Sequence, residues 1–300
     1  MSNLGLIIKN EYLTDIRAKS FWISTFIVPV LMVAFGGFAG YMMAESDTAM
    51  AVADKMGPEA DGEFTVLKGL GLLCGLFLCL FIMMYGSAIF TKVKTEKTNR
   101  IVEILATCVS GRTMMLGKII SVGLTGITQM LLWGVLIGIF LFGIFLVFPV
   151  EIPWGEILTY DYIMAVVWMV LYFIGGYIFF GSLYAAVGAM TDKNNENQEY
   201  MAVLTFILLI SFYISEYAVD HGETLFVRIL TYIPFTSPTI GAVNAVTQSS
   251  PIWESLIGLI VLYIFAWIAM AFAGKIYTSS ILLKGKKFSP KDIITFIKSK

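Results

Sequence analysis

The sole histidine of the chain, His221, has no second ligand type at metal-binding spacing, so it reads as a solvated loop residue. GKIISVG and KGKKFS come nearest to a phosphate-cradling G-x-x-x-x-G-K-S/T loop, and both lack its spacing. The chain is therefore not expected to bind or hydrolyse ATP itself, and no catalytic residue, metal ligand or bound cofactor is assigned. Cys74 and Cys79 fall in one apolar run and Cys108 in a charged stretch, which suits neither a disulfide nor a metal site. Buried thiols of this kind pack as small hydrophobes. An intramembrane enzyme would need convergent nucleophile, acid or metal groups, and the apolar runs offer no histidine and almost no carboxylate. Glu216 closes one such run, where a carboxylate in hydrocarbon would cost at least ~2.5 kcal/mol. It stands beside Asp220 and Glu223 at the end of the run, the setting of a hydrated interfacial acid.

Charge is concentrated instead in KVKTEKTNRIVEILATCVSGRTMMLGK, which runs from Lys92 to Lys118 and carries six basic residues. Within 95–110, Ile101, Leu105 and Cys108 share a helical face with Ile104 nearby, and Glu96 stands four residues before Arg100, the favourable order for a helical ion pair. Gly111 supplies a helix stop. Fully burying each Ile or Leu is worth ~1.5–3 kcal/mol, so the stripe calls for a cover. Lipid headgroups and another protein would both serve, and periodicity alone does not separate them.

The elements that must position this stretch are membrane spans. Hydrophobic residues make up 58% of the 300, charged residues only 14%, and the mean hydropathy is +0.83, far from a soluble domain. The expectation is an all-α membrane protein of one domain, 1–300, with six transmembrane helices at 20–44, 69–91, 114–150, 161–191, 200–219 and 254–275. Each reaches the ~20 residues that cross the hydrocarbon. An amino-terminal interfacial helix occupies 1–19, with Leu4, Ile8, Tyr12 and Ile16 on one face and Lys9, Asp15, Arg17 and Lys19 elsewhere. Polar residues before the first span, and no small-residue cleavage site after it, predict a retained amino terminus. Glycines at 69, 71, 75, 86, 175, 176, 181 and 188 permit close packing of two of the spans.

A further uncharged stretch, 229–253, contains Pro234, Pro238, Pro251, Asn244 and Gln248, which argues for a broken or re-entrant outer segment before the last span. Basic residues set the orientation. With six spans and both ends inside, the amino terminus, 92–118, Lys193 and the 276–300 tail with Lys275 gather seventeen of twenty, while thirteen acids fall outside. Pro234, Phe235, Thr236, Ser237 and Pro238 form a turn-prone cluster in the broken segment.

The EKTNRIVEILATCVSGRTMMLGK segment resembles the cytoplasmic loop of ABC-2 type export permeases, the membrane subunits of ABC transporters. Three further stretches agree in order: IIKNEYLTDIRAKSFW with the interfacial helix, YIPFTSPTIGAVNAV with the Pro-Phe-Thr-Ser-Pro segment before the last span, and KIYTSSILLKGKKFSPKDIITFIK with the basic exit tail of the sodium-efflux-like branch. The resemblance implies a multi-pass cell-membrane half-transporter, surrounded by lipid, that moves substrate outward. It would pair with a second permease, identical or different, and with two cytoplasmic ATPase subunits holding ATP and Mg²⁺. Nucleic acid has no place among these partners. Glu96, Lys97, Arg100, Ile101, Glu103, Ile104 and Leu105 would form the coupling helix received by the ATPase, with loop 191–200 as a smaller contact. Pro234 to Pro238 would be an outer gate or a plain re-entrant turn. The branch commonly has a large insert between the first two spans, and only 45–68 intervenes here, so substrate identity does not carry over. The rival reading is a self-sufficient channel or secondary transporter, for which intramembrane ionisable residues or inverted repeats would be expected.

Overall fold

The computed structural model describes residues 3–30, 62–98, 109–147, 160–191 and 199–282. Helix α1 (Asn3–Arg17) breaks at Ala18 from α2 (19–30), where the Ala18 and Phe21 amides turn back on the carbonyls of Asp15 and Ala18. Three long helices follow, α3 (Gly62–Thr98), α4 (Gly111–Val147) and α5 (Tyr160–Met190), and then α6 (Glu199–His221). Two short ones, α7 (Leu225–Tyr232) and α8 (Ser237–Val246), precede the long α9 (Ile252–Leu282). All nine helices described carry the chain without a strand among the described residues.

Five of them, α3, α4, α5, α6 and α9, are long and apolar enough to cross a membrane. The expected first span, 20–44, is helical as far as residue 30, and its remainder lies outside the described residues, as do 99–108, 192–198 and the tail beyond 282. At 37 residues each, α3 and α4 are about 55 Å long against a hydrocarbon core of ~30 Å, so both project beyond it. Helix α3 runs on through TKVKTEKT because its last turn is supported: the Lys97 ammonium donates to the Ala189 carbonyl, 2.8 Å away, at the end of α5. Glu96 and Lys97, expected to open a separate helix at 95, are here the last turns of α3.

Helix α5 is the centre of the bundle, packed along α3 on one side and α9 on the other. Its glycines make this possible. A β-carbon on Gly188 would stand 2.7 Å from the Phe90 carbonyl oxygen, so α3 and α5 meet there backbone to backbone. Larger side chains fill the remaining space, with Tyr172, Phe173, Phe180 and Tyr184 fully buried. The tyrosines keep their hydroxyls bonded, Tyr172 to the Ser255 carbonyl at 2.8 Å and Tyr177 to the Ile119 carbonyl at 2.7 Å, as a low-dielectric interior demands.

The α7–α8 segment inserts among the long helices. All ten residues of α8 are buried, against α3, α5, α6 and α9. Pro238 in the first turn of α8 suits its missing amide, and the helix ends with Gln248 at φ 54° and the Ser249 amide on the Asn244 carbonyl at 3.2 Å, a Schellman closure.

Candidate functional site

Helix α1 lies on α4, with Leu4 and Ile7 against Gly117 and the Tyr12 hydroxyl 2.8 Å from that of Thr128. This crossing turns Glu11 and Asp15, one helical turn apart, towards the basic end of the bundle, where they meet Lys118 of α4 and Lys92 of α3. Lys118 is only 2% exposed. Its ammonium stands 2.8 Å from Glu11 Oε1 and also pairs with Glu96 of α3. Lys92 lies 3.1 Å from Glu11 Oε2 and 2.6 Å from Asp15 Oδ1. The Tyr277 hydroxyl of α9 donates to Glu96 Oε2 at 3.5 Å, and that of Thr125 lies 3.3 Å from Asp15 Oδ2.

Electrostatics explains why these groups stay charged. Burial by itself would raise the Glu11 carboxyl, but the Lys118 ammonium, and Lys92 beside it, outweigh this and hold Glu11 below the usual carboxylate range. An isolated buried ammonium costs several kcal/mol in lost hydration, which two carboxylates in direct contact offset at Lys118. Further in, the Tyr85 hydroxyl donates to Gln129, whose amide nitrogen donates to Ser24 of α2 at 3.2 Å. A groove of about 510 Å³ runs beside the cluster along α3, lined by Met84, Ser87, Thr91, Lys92, Thr95 and Glu96. Within the cluster every ionic group is committed to a neighbour, so it ties α1, α3 and α4 together.

Of the residues expected to couple to a partner, Glu96 lies in this cluster, paired with Lys118, and Lys97 lies beside it on Ala189. Arg100, Ile101, Glu103, Ile104 and Leu105 lie outside the described residues. Glu11, Lys92 and Lys118 were not singled out from the sequence. Two signals were there: Glu11 and Asp15 at helical spacing in a basic segment, and a lysine set inside the apolar run MMLGKIISVG.

Pro234, Phe235 and Thr236 lie in the turn between α7 and α8, and Ser237 and Pro238 open α8. Phe235 packs edge-on to Phe179 at 5.1 Å and Phe180 at 6.2 Å between ring centroids, while a β-carbon on Gly176 would stand 2.6 Å from Pro238 Cβ. The Thr236 hydroxyl donates to the Leu230 carbonyl at 2.6 Å; Ser211 of α6 donates to the Thr236 carbonyl at 3.3 Å and also bonds Thr239. The hydroxyl of Ser237 and the amide oxygen of Asn244 are buried with no hydrogen-bond partner among the described residues. Arg228 of α7 holds the buried Glu254 of α9, with Nε 2.9 Å from Oε2. Glu216 is exposed, and His221 stacks on Tyr217 at 4.2 Å. Cys74 and Cys79 are buried free thiols.

Long apolar helices around a buried polar base define a multi-pass helical membrane protein. Residues 60–275 match the family described as ABC-2 family transporter protein, and the chain belongs to that family, a membrane permease component of ABC transporters. It is 25% identical over 243 residues to the uncharacterized protein YhaP of Bacillus subtilis, covering 80% of this chain and 57% of that one. The uncharacterized protein MJ1024 of Methanocaldococcus jannaschii is 22% identical over 243 residues, covering 81% and 57%. The chain thus spans little more than half the length of these relatives. No solved structure matches it.

Proposed function

We propose that this chain is the permease of an ATP-driven exporter, assembled with a second permease and two cytoplasmic ATPase subunits, with both termini and the 92–118 connection facing the cytoplasm. ATP and Mg²⁺ act on the ATPase, and this chain supplies the path. The observation that carries the reading is the buried base of the 92–118 connection: Glu96 and Lys118 anchor its two ends to each other within a member of the ABC-2 family. A connection anchored this way is suited to receive force from a partner on its amphipathic stretch. Pro234, Phe235, Thr236, Ser237 and Pro238 are then the outer gate, a turn that shifts to release substrate.

The test is pull-down of the cognate ATPase by wild-type permease and by the Ile101→Asp, Leu105→Asp variant. Charge placed in an apolar contact costs several kcal/mol. Capture is expected to fail while permease yield and size-exclusion profile stay normal. Undiminished capture returns the stripe to the lipid surface.

A further inference from the structure

We propose that Lys118 is the pin of a clasp that makes the ends of α3 and α4 flanking the 92–118 connection move as one body with the amino-terminal helix α1, so that a displacement reaching those ends is delivered to α1 and, through Tyr277, to α9. This rests on the ATPase-coupled reading above and names the parts that carry its motion inward.

The geometry is specific. Glu96 and Lys118 stand 22 residues apart, on the helices that enter and leave the connection, and their ion pair closes it at the base. The same ammonium holds Glu11, so one charged group joins α3, α4 and α1. Lys92 adds a second tie, reaching Glu11 and Asp15. Helix α1 therefore has two acids, a turn apart, fixed to two lysines on different helices. It cannot slide or roll against α4 without separating them.

Apolar contacts alone, such as Ile7 on Gly117, tolerate sliding because they are non-directional. Ion pairs with defined partners set one register. Exposure decides whether such pairs hold: a solvated pair contributes little, whereas Lys118 is 2% exposed and its partners are mostly covered. Tyr277 on Glu96 gives the clasp its contact with α9. Glu11, Lys118 and Lys92 are positioning residues. They need touch neither substrate nor nucleotide.

The experiment is hydrogen exchange on the complex of full-length permease with its cognate ATPase, with and without ATP, the ATPase carrying a substitution that stops hydrolysis. Peptides covering 92–118 and 3–17 are followed together. In the wild type both are expected to change on ATP binding, by roughly 5- to 10-fold in rate, the range of ordinary inter-site coupling. In Lys118→Met the connection should still respond while the change in α1 falls below about twofold, a loss of most of that coupling. Lys118→Arg should restore it. Glu11→Gln with Asp15→Asn frees α1 but leaves Lys118 on Glu96, and so decides the matter even if Lys118→Met does not fold. It should silence α1 alone.

A wild-type complex in which 92–118 responds and α1 does not overturns the clasp. So does an α1 response that persists undiminished in the Glu11→Gln, Asp15→Asn variant. A 92–118 peptide that is silent in an ATP-loaded complex overturns the coupling reading itself, and the clasp with it.

Discussion

The base of the bundle and the α7–α8 turn are both polar, yet they are built from opposite materials. At the base, two ammoniums and three carboxylates from α1, α3 and α4 are locked in mutual contact. At the turn, neutral hydroxyls share a few carbonyls, glycine and proline fill the contacts, and two polar atoms have no partner among the described residues. Breaking one ionic partner strands another charge, so the base resists rearrangement. Shifting a hydroxyl from one carbonyl to the next costs about 1 kcal/mol, so the turn rearranges at small expense. One chain thus ties its base with charge and its α7–α8 turn with neutral hydrogen bonds.

The largest effect that would break this contrast is at Lys118. Lys118→Met should cost up to about 3 kcal/mol, because Glu11 and Glu96, both mostly covered, lose their common cation while Glu11 keeps Lys92. A thermal melt of the purified permease should show a clear loss, with Lys118→Arg close to wild type. Equal stability of Lys118→Met and wild type would mean the base is not ionic in the sense described.

Acid should separate the two regions next. Glu11 is held below the usual carboxylate range, chiefly by Lys118 against the opposing effect of burial. Its folded pKa is therefore below its unfolded one, and the unfolded chain takes up the proton first. The stabilisation is complete above roughly pH 4.3 and is lost as pH falls through the folded value. In a cysteine-free background, a spin label at Asn10→Cys on α1 should gain mobility on going below that pH, while one at Ile233→Cys beside the turn should not. Parallel loosening at both positions would erase the distinction.

The smallest effect belongs to the turn. Ser237→Ala removes a buried hydroxyl that bonds nothing among the described residues, so it should be neutral or stabilising within about 1 kcal/mol. Chemical denaturation of the two proteins side by side measures it. A loss well above that would reveal a partner for Ser237.

Long apolar helices were legible because length and apolar composition are local properties: 69–91 and 200–219 lie within α3 and α6, and α5 covers all of 161–191 but its last residue. Their overhangs were less so. TKVKTEKT is polar, and only the tertiary bond from Lys97 to Ala189, 92 residues away, shows why α3 continues through it. The amino-terminal helix was readable as amphipathic, but the face chosen by its apolar residues left Asp15 on the other side. In the structure Asp15 and Glu11 turn inward because Lys92 and Lys118 await them, the latter 107 residues beyond Glu11. Lys118 was counted only as one of many basic residues setting orientation. Charge pairing at that separation leaves no trace in local periodicity. The Pro-Phe-Thr-Ser-Pro turn was visible from its prolines, whereas its seat against Gly176 depended on packing between segments.

The unbroken length of α3 has a mechanical consequence. Its 37 residues include no proline, and it bears on α5 where Gly188 meets the Phe90 carbonyl. At 1.5 Å per residue, Thr98 is about 12 Å from that contact and Gly75 about 22 Å on its other side. Val243 of α8 rests against the helix at Gly75. One unbroken helix thus touches both the charged base, through Lys92 and Glu96, and α8, at Gly75.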